Sequence, residues 1–437
     1  VKRIAWCSPW PPEAGDAAER SAAGVPARTT RGFQIDAVTN DQQAREFAAN
    51  AAAYSLAVYH LADSHQHEFI WPLVFAHPGL TVLHDGRLHA SRSQALLRER
   101  RAPDYRTEFA WNHPHVAPAI AELAVSGHDG GFGSQWPMVR AVIAASRLTV
   151  THAAGAMAEL KAECPGHPID YVAASQGAAD LAGTAHEQQV RARLRSACGW
   201  PESAIVFMAC DPADHNSVRP TYSFARIPQI LRAFAAVRGR MPDARLVLSG
   251  LETDDVDVPG LVRSLGLDGL VKRLNGPGST DSTDAGLSVD DTLLAADVVL
   301  TLRWPAALDM PGHWLRALAA GRATVILDLV HLANIPALDP RTWRRHSPAE
   351  PSPDADAAAV TVALDVMDED HSLRLALQRL AADGPLRARL GHAARAYWEA
   401  EHSPSRMVND YAHAISRALA LPRPNVELPV HLRPVMS

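Results

Sequence analysis

The sequence predicts an α/β protein of two domains, each a parallel sheet wrapped in helices, and three observations carry that expectation. The chain has 437 residues, more than one hydrophobic core usually organises, so two domains of about 200 residues each are expected. Short β-branched runs bounded by turn residues alternate with longer Ala- and Leu-rich amphipathic stretches, the rhythm of βαβ units. That rhythm occurs as two separate series, divided by the charged helical stretch GTAHEQQVRARLRSACGWPES with its closing Gly199 and Pro201.

In the first series strands are expected at Arg3 to Ser8, Ser55 to Tyr59, Leu80 to His84, Leu148 to His152 and Ile169 to Ala173. The second begins with AIVFMACD at Ala204 and continues with ARLVLSG at Ala244 and VKRLNG at Val271. It ends with DVVLTLR at Asp297 and ATVILDL at Ala323. The pattern then turns helical, with apolar residues three and four apart over Pro385 to Glu401 and Ser405 to Leu421. Two segments rich in Gly, Ser, Pro and acid, from Gly276 and from His346, read as loops. The final PRPNVELPVHLRPVMS holds too many prolines for a helix and is expected to drape over a neighbour or stay mobile.

Composition narrows the function. Hydrophobic residues make up 47% and charged residues 21%, values of an ordinary folded chain. A net charge of -6 supplies no footprint for nucleic acid and no polybasic membrane anchor. The four cysteines, Cys7, Cys164, Cys198 and Cys210, have neither metal-ligand spacing nor the density of a secreted scaffold, and suggest a reducing cytoplasm. VKRIAWCSPWPP reads as a first strand rather than a cleavable leader. No stretch approaches the roughly 20 apolar residues of a membrane span, so any membrane contact is expected to be peripheral.

Five segments in order resemble bacterial family-4 glycosyltransferases. SPWPPEAGDAAE at Ser8 is similar to the family's first strand and loop, with Gly15 at the glycine position. The stretch from His60 to Arg92 contains the His-Asp dipeptide at His84 and Asp85, and LTVTHAAGAMAELK resembles the next strand and helix, with His152 in place. FARIPQILRAFAAVRGRMPDARLVLSG resembles the segment carrying a basic pair for the donor phosphates. AADVVLTLRWPAALDMPGHWLRALAAGRATVILD resembles the donor-site signature. The resemblance implies a GT-B fold, two Rossmann-like domains whose parallel sheets face a central cleft. Residues 1–199 would form the acceptor-side domain and 200–403 the nucleotide-sugar donor domain. Residues 404–437 would be a crossover helix and tail returning to the first domain.

It also implies an activity: transfer of a hexose, with retention, from a nucleotide-diphosphate sugar of UDP or GDP type to a hydroxyl of a natural product, lipid carrier or glycan. No tightly bound cofactor and no metal are expected. A cytoplasmic location is implied, with contact at the inner membrane face allowed. Such transfer needs charge neutralised on the leaving phosphate and the acceptor held near the anomeric carbon. His84, Asp85 and Asp309 are the expected catalytic group, the first two at the carboxyl end of a strand, where open α/β sheets place ligands. Gly15, His152, Arg219, Arg226, Met310, Pro311, Gly312 and Arg316 are expected at the donor. A guanidinium suits a phosphate by its planar fork, and a helix start at Gly312 suits an anion. Asp63, His67 and Trp111 are expected on the acceptor side. Trp111 lies in an aromatic-rich segment that reads either as an acceptor lid or as a packing helix.

Two departures from the family stand out. Ala225 occupies the place of the usual Lys, and Asp309 that of the first signature Glu. They leave a second reading open, a degenerate GT-B protein that binds a ligand or partner without turnover.

Overall fold

Central strands of a parallel sheet are covered on both faces and therefore read as unbroken apolar runs. The computed structural model shows this directly; it describes residues 1–9, 32–128, 135–176, 183–210, 226–249, 256–274, 287–304, 310–332, 334–346 and 359–433. The first sheet contains β1 (Lys2–Cys7), β2 (Phe33–Val38), β3 (Leu56–Leu61), β4 (Leu80–Leu83), β5 (Leu148–Thr151) and β6 (Ile169–Tyr171). All its neighbours pair in parallel, in the order β2-β1-β3-β4-β5-β6. β3, β4 and β5 are buried along their whole length. Helices α1 (Asp41–Ala49), α2 (Trp71–Ala76), α3 (His89–Arg98), α4 (Ala102–Asn112), α5 (Ala119–Val125), α6 (Arg140–Ala145) and α7 (Ala154–Glu163) fill the connections.

The expected strands of this half lie within a residue or two of the observed ones, but β2 is an addition. It is an edge strand with one buried residue, Val38, and FQIDAV carries no continuous apolar signal. Helix α8 (Ala185–Cys198) then leads to the second sheet. Gly199 ends it in the left-handed region at φ 66°, a conformation that glycine adopts without a Cβ clash. The Trp200 indole N–H anchors the turn by donating to the Gly269 carbonyl at 2.8 Å.

The second sheet comprises β7 (Ile205–Cys210), β8 (Ala244–Ser249), β9 (Val271–Leu274), β10 (Val298–Thr301), β11 (Ala323–Leu327), β12 (Ala337–Leu338), β13 (Arg345–His346) and β14 (Thr361–Leu364). Their order is β13-β12-β14-β11-β10-β7-β8-β9, parallel throughout except for the β12–β13 pair. β12 to β14 extend the sheet beyond the five strands expected. Around it lie α9 (Ile227–Val237), α10 (Val258–Ser264), α11 (Val289–Ala295), α12 (Gly312–Ala319), α13 (Glu369–Ala382) and α14 (Gly384–Glu401).

The last helix, α15 (Pro404–Ala420), packs on the first sheet. Its buried Met407, Tyr411, Ala414, Ile415 and Ala418 meet Ile4, Trp6, Val58, Val82 and Val150. The spacing of those five residues is one helical stripe, and each fully buried large side chain contributes roughly 1.5–3 kcal/mol. The chain after α15 follows the first domain: Leu428 and Leu432 enter its core, and the Trp111 indole donates to the Glu427 carbonyl at 3.2 Å. His431 reaches the buried Glu108 at 2.8 Å. The prolines that forbid a helix leave an extended strap with few donors to satisfy.

Candidate active site

Parallel strands all end on one side, so β3, β4, β5 and β6 bring Asp63, His84, His152 and residues 172–176 to a single edge. That edge touches the second domain, and among the described residues three of the contacts flank the candidate site. Gly155, in the first turn of α7, lies so close to the segment after β11 that an added Cβ would stand 2.2 Å from the Val330 carbonyl oxygen and 2.6 Å from His331 Cα. Met310 packs against Ala153 and Ala156. A Cβ on Gly312 would stand 2.4 Å from Gln176 Oε1. The 173–176 segment is held from the other side as well: the Trp398 indole donates to the Gln176 carbonyl at 2.7 Å. His402 Nδ1 bonds the Ala174 carbonyl at 2.9 Å, and the Ala173 amide donates to Asp410 at 3.1 Å.

A row of imidazoles lines this edge. His60, in β3, places Nδ1 2.8 Å from His84 Nε2. The His84 ring lies 5.1 Å from those of both His60 and His152, and Trp6 and Tyr411 close the row beneath. His152 is fixed by its Nδ1, 2.9 Å from the Val172 carbonyl. Burial, reinforced by the neighbouring histidines, holds the His60 and His84 pKa values well below the ordinary imidazole range. Burial also lowers His152, against its bond to the Val172 carbonyl, which raises it. All three are therefore neutral at pH 7, each with one N–H donor and one lone pair. His84 keeps partial solvent access although it lies deep. Such a surface offers hydrogen bonds without charge, which suits sugar hydroxyls better than carboxylates.

Opposite stands the start of α12. Pro311, at φ -65° and ψ 113°, is its N-cap and gives no side-chain cap. The first-turn amides of a helix lack intrahelical acceptors and carry the positive end of its dipole. Gln176, itself 7% exposed, has a sealed Oε1 without a hydrogen-bond partner among the described residues where it abuts Gly312. Arg316, further along α12, pairs with Asp290 at 2.9 Å. Arg226 is the left-handed N-cap of α9 at φ 53°. Its fork is bidentate with Glu369, Nε at 2.9 Å and the second nitrogen closer still, so a diphosphate would have to share it.

The structure thus sets His84 beside His152, packs Met310 on the residues that follow His152 and Gly312 on Gln176 at the same sheet edge, with Pro311 between them, and holds Arg226 and Arg316 in ion pairs. Asp85 lies beside His84 and accepts from the Arg87 amide at 3.0 Å. Asp63 caps α3 by accepting from the Ser91 amide at 2.7 Å. His67 is buried, with Nδ1 2.8 Å from the His60 carbonyl. Trp111 is on the packing helix α4 and bonds the C-terminal strap. Gly15, Arg219, Ala225 and Asp309 lie outside the described residues. Among the described residues no group of three or more His, Cys, Asp or Glu is arranged to hold a metal ion, and no helix is long and apolar enough to cross a membrane. His60 and Gln176 join the site without having been expected. His60 opens the stretch that resembles the family but was given no role and lay just past the expected strand, which in the structure continues through it to Leu61; Gln176 follows β6 with no pattern to mark it.

No protein-family model and no curated protein matches the sequence. Among solved structures, the fold is similar to that of WaaG, a glycosyltransferase involved in lipopolysaccharide biosynthesis. The TM-score is 0.53 and the identity 14%, over 94% of this chain and 99% of that one. A mutant of S. aureus TarM, in complex with fondaparinux, α-GlcNAc-glycerol and UDP, aligns over 65% of this chain and 46% of its own. Its identity is 9% and its TM-score 0.43, too low to carry an argument. The likeness to WaaG, over nearly the whole of both chains, establishes the fold as two Rossmann-like domains of GT-B type.

Proposed function

We propose that this protein is a retaining glycosyltransferase that moves a hexose from a nucleotide-diphosphate sugar to an acceptor hydroxyl on a natural product, lipid carrier or glycan. The observation that carries the reading is the pairing across the two sheet edges: the start of α12, with Pro311 at its N-cap, packs through Met310 on Ala153 and Ala156 beside His152 and through Gly312 on Gln176. One side suits a diphosphate and the other a sugar. Residues 1–199 supply the sugar and acceptor face, 200–403 the phosphate face, and the segment from 404 ties the second domain to the first.

In this mechanism the acceptor hydroxyl attacks the anomeric carbon on the face from which the diphosphate departs. The bond from that carbon to the diphosphate oxygen breaks, the new C–O bond forms, and the hydroxyl proton passes to the leaving phosphate. No carboxylate dyad of the glycosidase kind is needed. The α12 amides and Arg226 stabilise the growing phosphate charge, with Gly15 and Arg219 assigned to the same task, while His84, Asp85 and Asp309 orient the sugar. Arg316 is assigned to the nucleotide, and Asp63, His67 and Trp111 support the acceptor side through the elements they hold.

The second reading, a ligand-binding GT-B protein without turnover, is favoured by the Arg226–Glu369 pair, which occupies the one described arginine expected at the diphosphate. The test is a calorimetric and thermal-shift panel of UDP, GDP, ADP and TDP with their sugar conjugates, followed by assay of nucleotide release. One nucleotide should stabilise the fold by about 2.7 kcal/mol at a hundred times its Kd, and its sugar conjugate should turn over. Binding without turnover of any conjugate would favour the second reading, and no binding across the panel would remove the donor site from both.

A further inference from the structure

We infer that His60 is a positioning residue that fixes the tautomer of His84, so that His84 meets its ligand as an Nδ1–H hydrogen-bond donor. The inference starts from His60 Nδ1 and His84 Nε2, 2.8 Å apart. Between two neutral imidazoles one nitrogen must carry the proton and the other must accept it.

If His84 donated through Nε2–H, His60 would accept at Nδ1 and carry its own proton on Nε2. That Nε2 is sealed from solvent and has no partner among the described residues, and His60 is 1% exposed. Around it stand the Trp6 ring at 4.6 Å and the Tyr411 ring at 6.2 Å between centroids. Among backbone groups an orphaned buried N–H is rarer than an under-used acceptor, and the same preference applied to the imidazole disfavours a sealed Nε2–H. The opposite arrangement removes it. His60 donates Nδ1–H to His84 Nε2, its own Nε2 is a bare lone pair, and the neutral His84 carries its proton on Nδ1. His84 Nδ1 bonds nothing among the described residues and is not among the sealed atoms, so it is the ring nitrogen a ligand can reach.

Two consequences follow for chemistry. His84 cannot accept a proton through the nitrogen it presents, so it is not the base that deprotonates the acceptor. It donates instead to an oxygen, and on the reading proposed above that oxygen belongs to the transferred sugar. The clause about the sugar rests on that reading; the tautomer itself does not.

Long-range nitrogen–proton NMR of the uniformly labelled full chain distinguishes the two tautomers of each histidine, and His84→Gln identifies the His84 signals. The expected native spectrum shows His84 protonated at Nδ1. His60→Leu should move His84 towards the Nε2–H form, and His60→Asn, whose amide N–H can take the place of Nδ1–H, should restore the native pattern. A native His84 protonated at Nε2 overturns the inference, and so does a His84 signal unchanged by His60→Leu. The native spectrum is decisive even where His60→Leu fails to fold. UDP-glucose and GDP-mannose are then added to the native protein. An Nδ1-protonated His84 that responds to neither leaves the tautomer standing and counts against the donor-face reading alone.

Discussion

Lowering the pH from 7 to 5 should weaken the fold through histidines that the structure keeps neutral, and His402 sets the scale. Burial brings its pKa down to about 4, against about 6.5 for a free imidazole. Below pH 6.5 the unfolded chain protonates His402, whereas the folded chain holds it neutral until about pH 4. In that window the unfolded state binds more protons, so stability falls as pH falls. The contribution of neutral His402 is whole above pH 6.5 and is lost on the way down to 4. At about 1.4 kcal/mol per pH unit, about 2 kcal/mol is lost by pH 5. His60, His84 and His152 are shifted in the same direction and steepen the native curve. Urea unfolding at pH 7, 6 and 5 gives the slope. His402→Asn keeps an amide donor for the Ala174 carbonyl and cannot titrate, so it should lose about 2 kcal/mol less than the native protein between pH 7 and 5. Parallel curves for the two proteins would refute the reasoning.

Three further outcomes are expected. Gly155→Ala places a methyl against backbone atoms of residues 330–331 that cannot swing aside, so it should cost about 1–3 kcal/mol by overpacking and force the two sheet edges apart; small-angle scattering superposable on that of the native protein, at equal stability, would contradict this. Glu108→Gln strands the nearly buried Arg92 and weakens the hold on His431, which keeps only Asp104 at 3.5 Å as a carboxylate partner, at a cost of about 3–5 kcal/mol. Limited proteolysis should then cut the strap after Leu421 first, and a strap as resistant as the native one would show that its apolar contacts suffice. Ile415→Ala leaves a cavity between α15 and the first sheet and should cost about 2–5 kcal/mol, read by chemical denaturation; a change under 1 kcal/mol would mean that α15 is not held there by packing.

How much of this was legible depended on where each residue's partners lie in the chain. β3, β4, β5, β10 and β11 are buried on every residue, so their own composition announces them. α14 and α15 announce themselves by the three- and four-residue spacing of Leu386, Leu390 and Ala394, and of Met407, Tyr411 and Ala414. β2 lacks that local mark, because an edge strand needs apolar residues on only part of its surface; β12 and β13 are two residues each, too short to show a run, whereas β14 is as fully buried as the others and was not among the expected strands. The place of His84 and His152 at strand ends was legible for a related reason: each directly follows an apolar strand, and strand ends are the edge where open parallel sheets commonly bind ligands.

What the sequence could not display is a role defined by a distant partner. Asp63 sits in the family-like stretch, yet its carboxylate caps a helix starting at His89. Arg226 has the fork a phosphate wants, and that fork is bidentate with a carboxylate 143 positions away. Gln176 is marked by nothing in its neighbourhood, and becomes part of the site only because Gly312, from the other domain, leaves room for it. The same logic bears on catalysis. On the reading proposed above, transfer between two domains would require groups that no short segment contains together, and pairs such as His60 with His84 and Gln176 with Gly312 would be its determinants. A variant that changes one member of such a pair acts through the other, and only changing both separates loss of contact from loss of function.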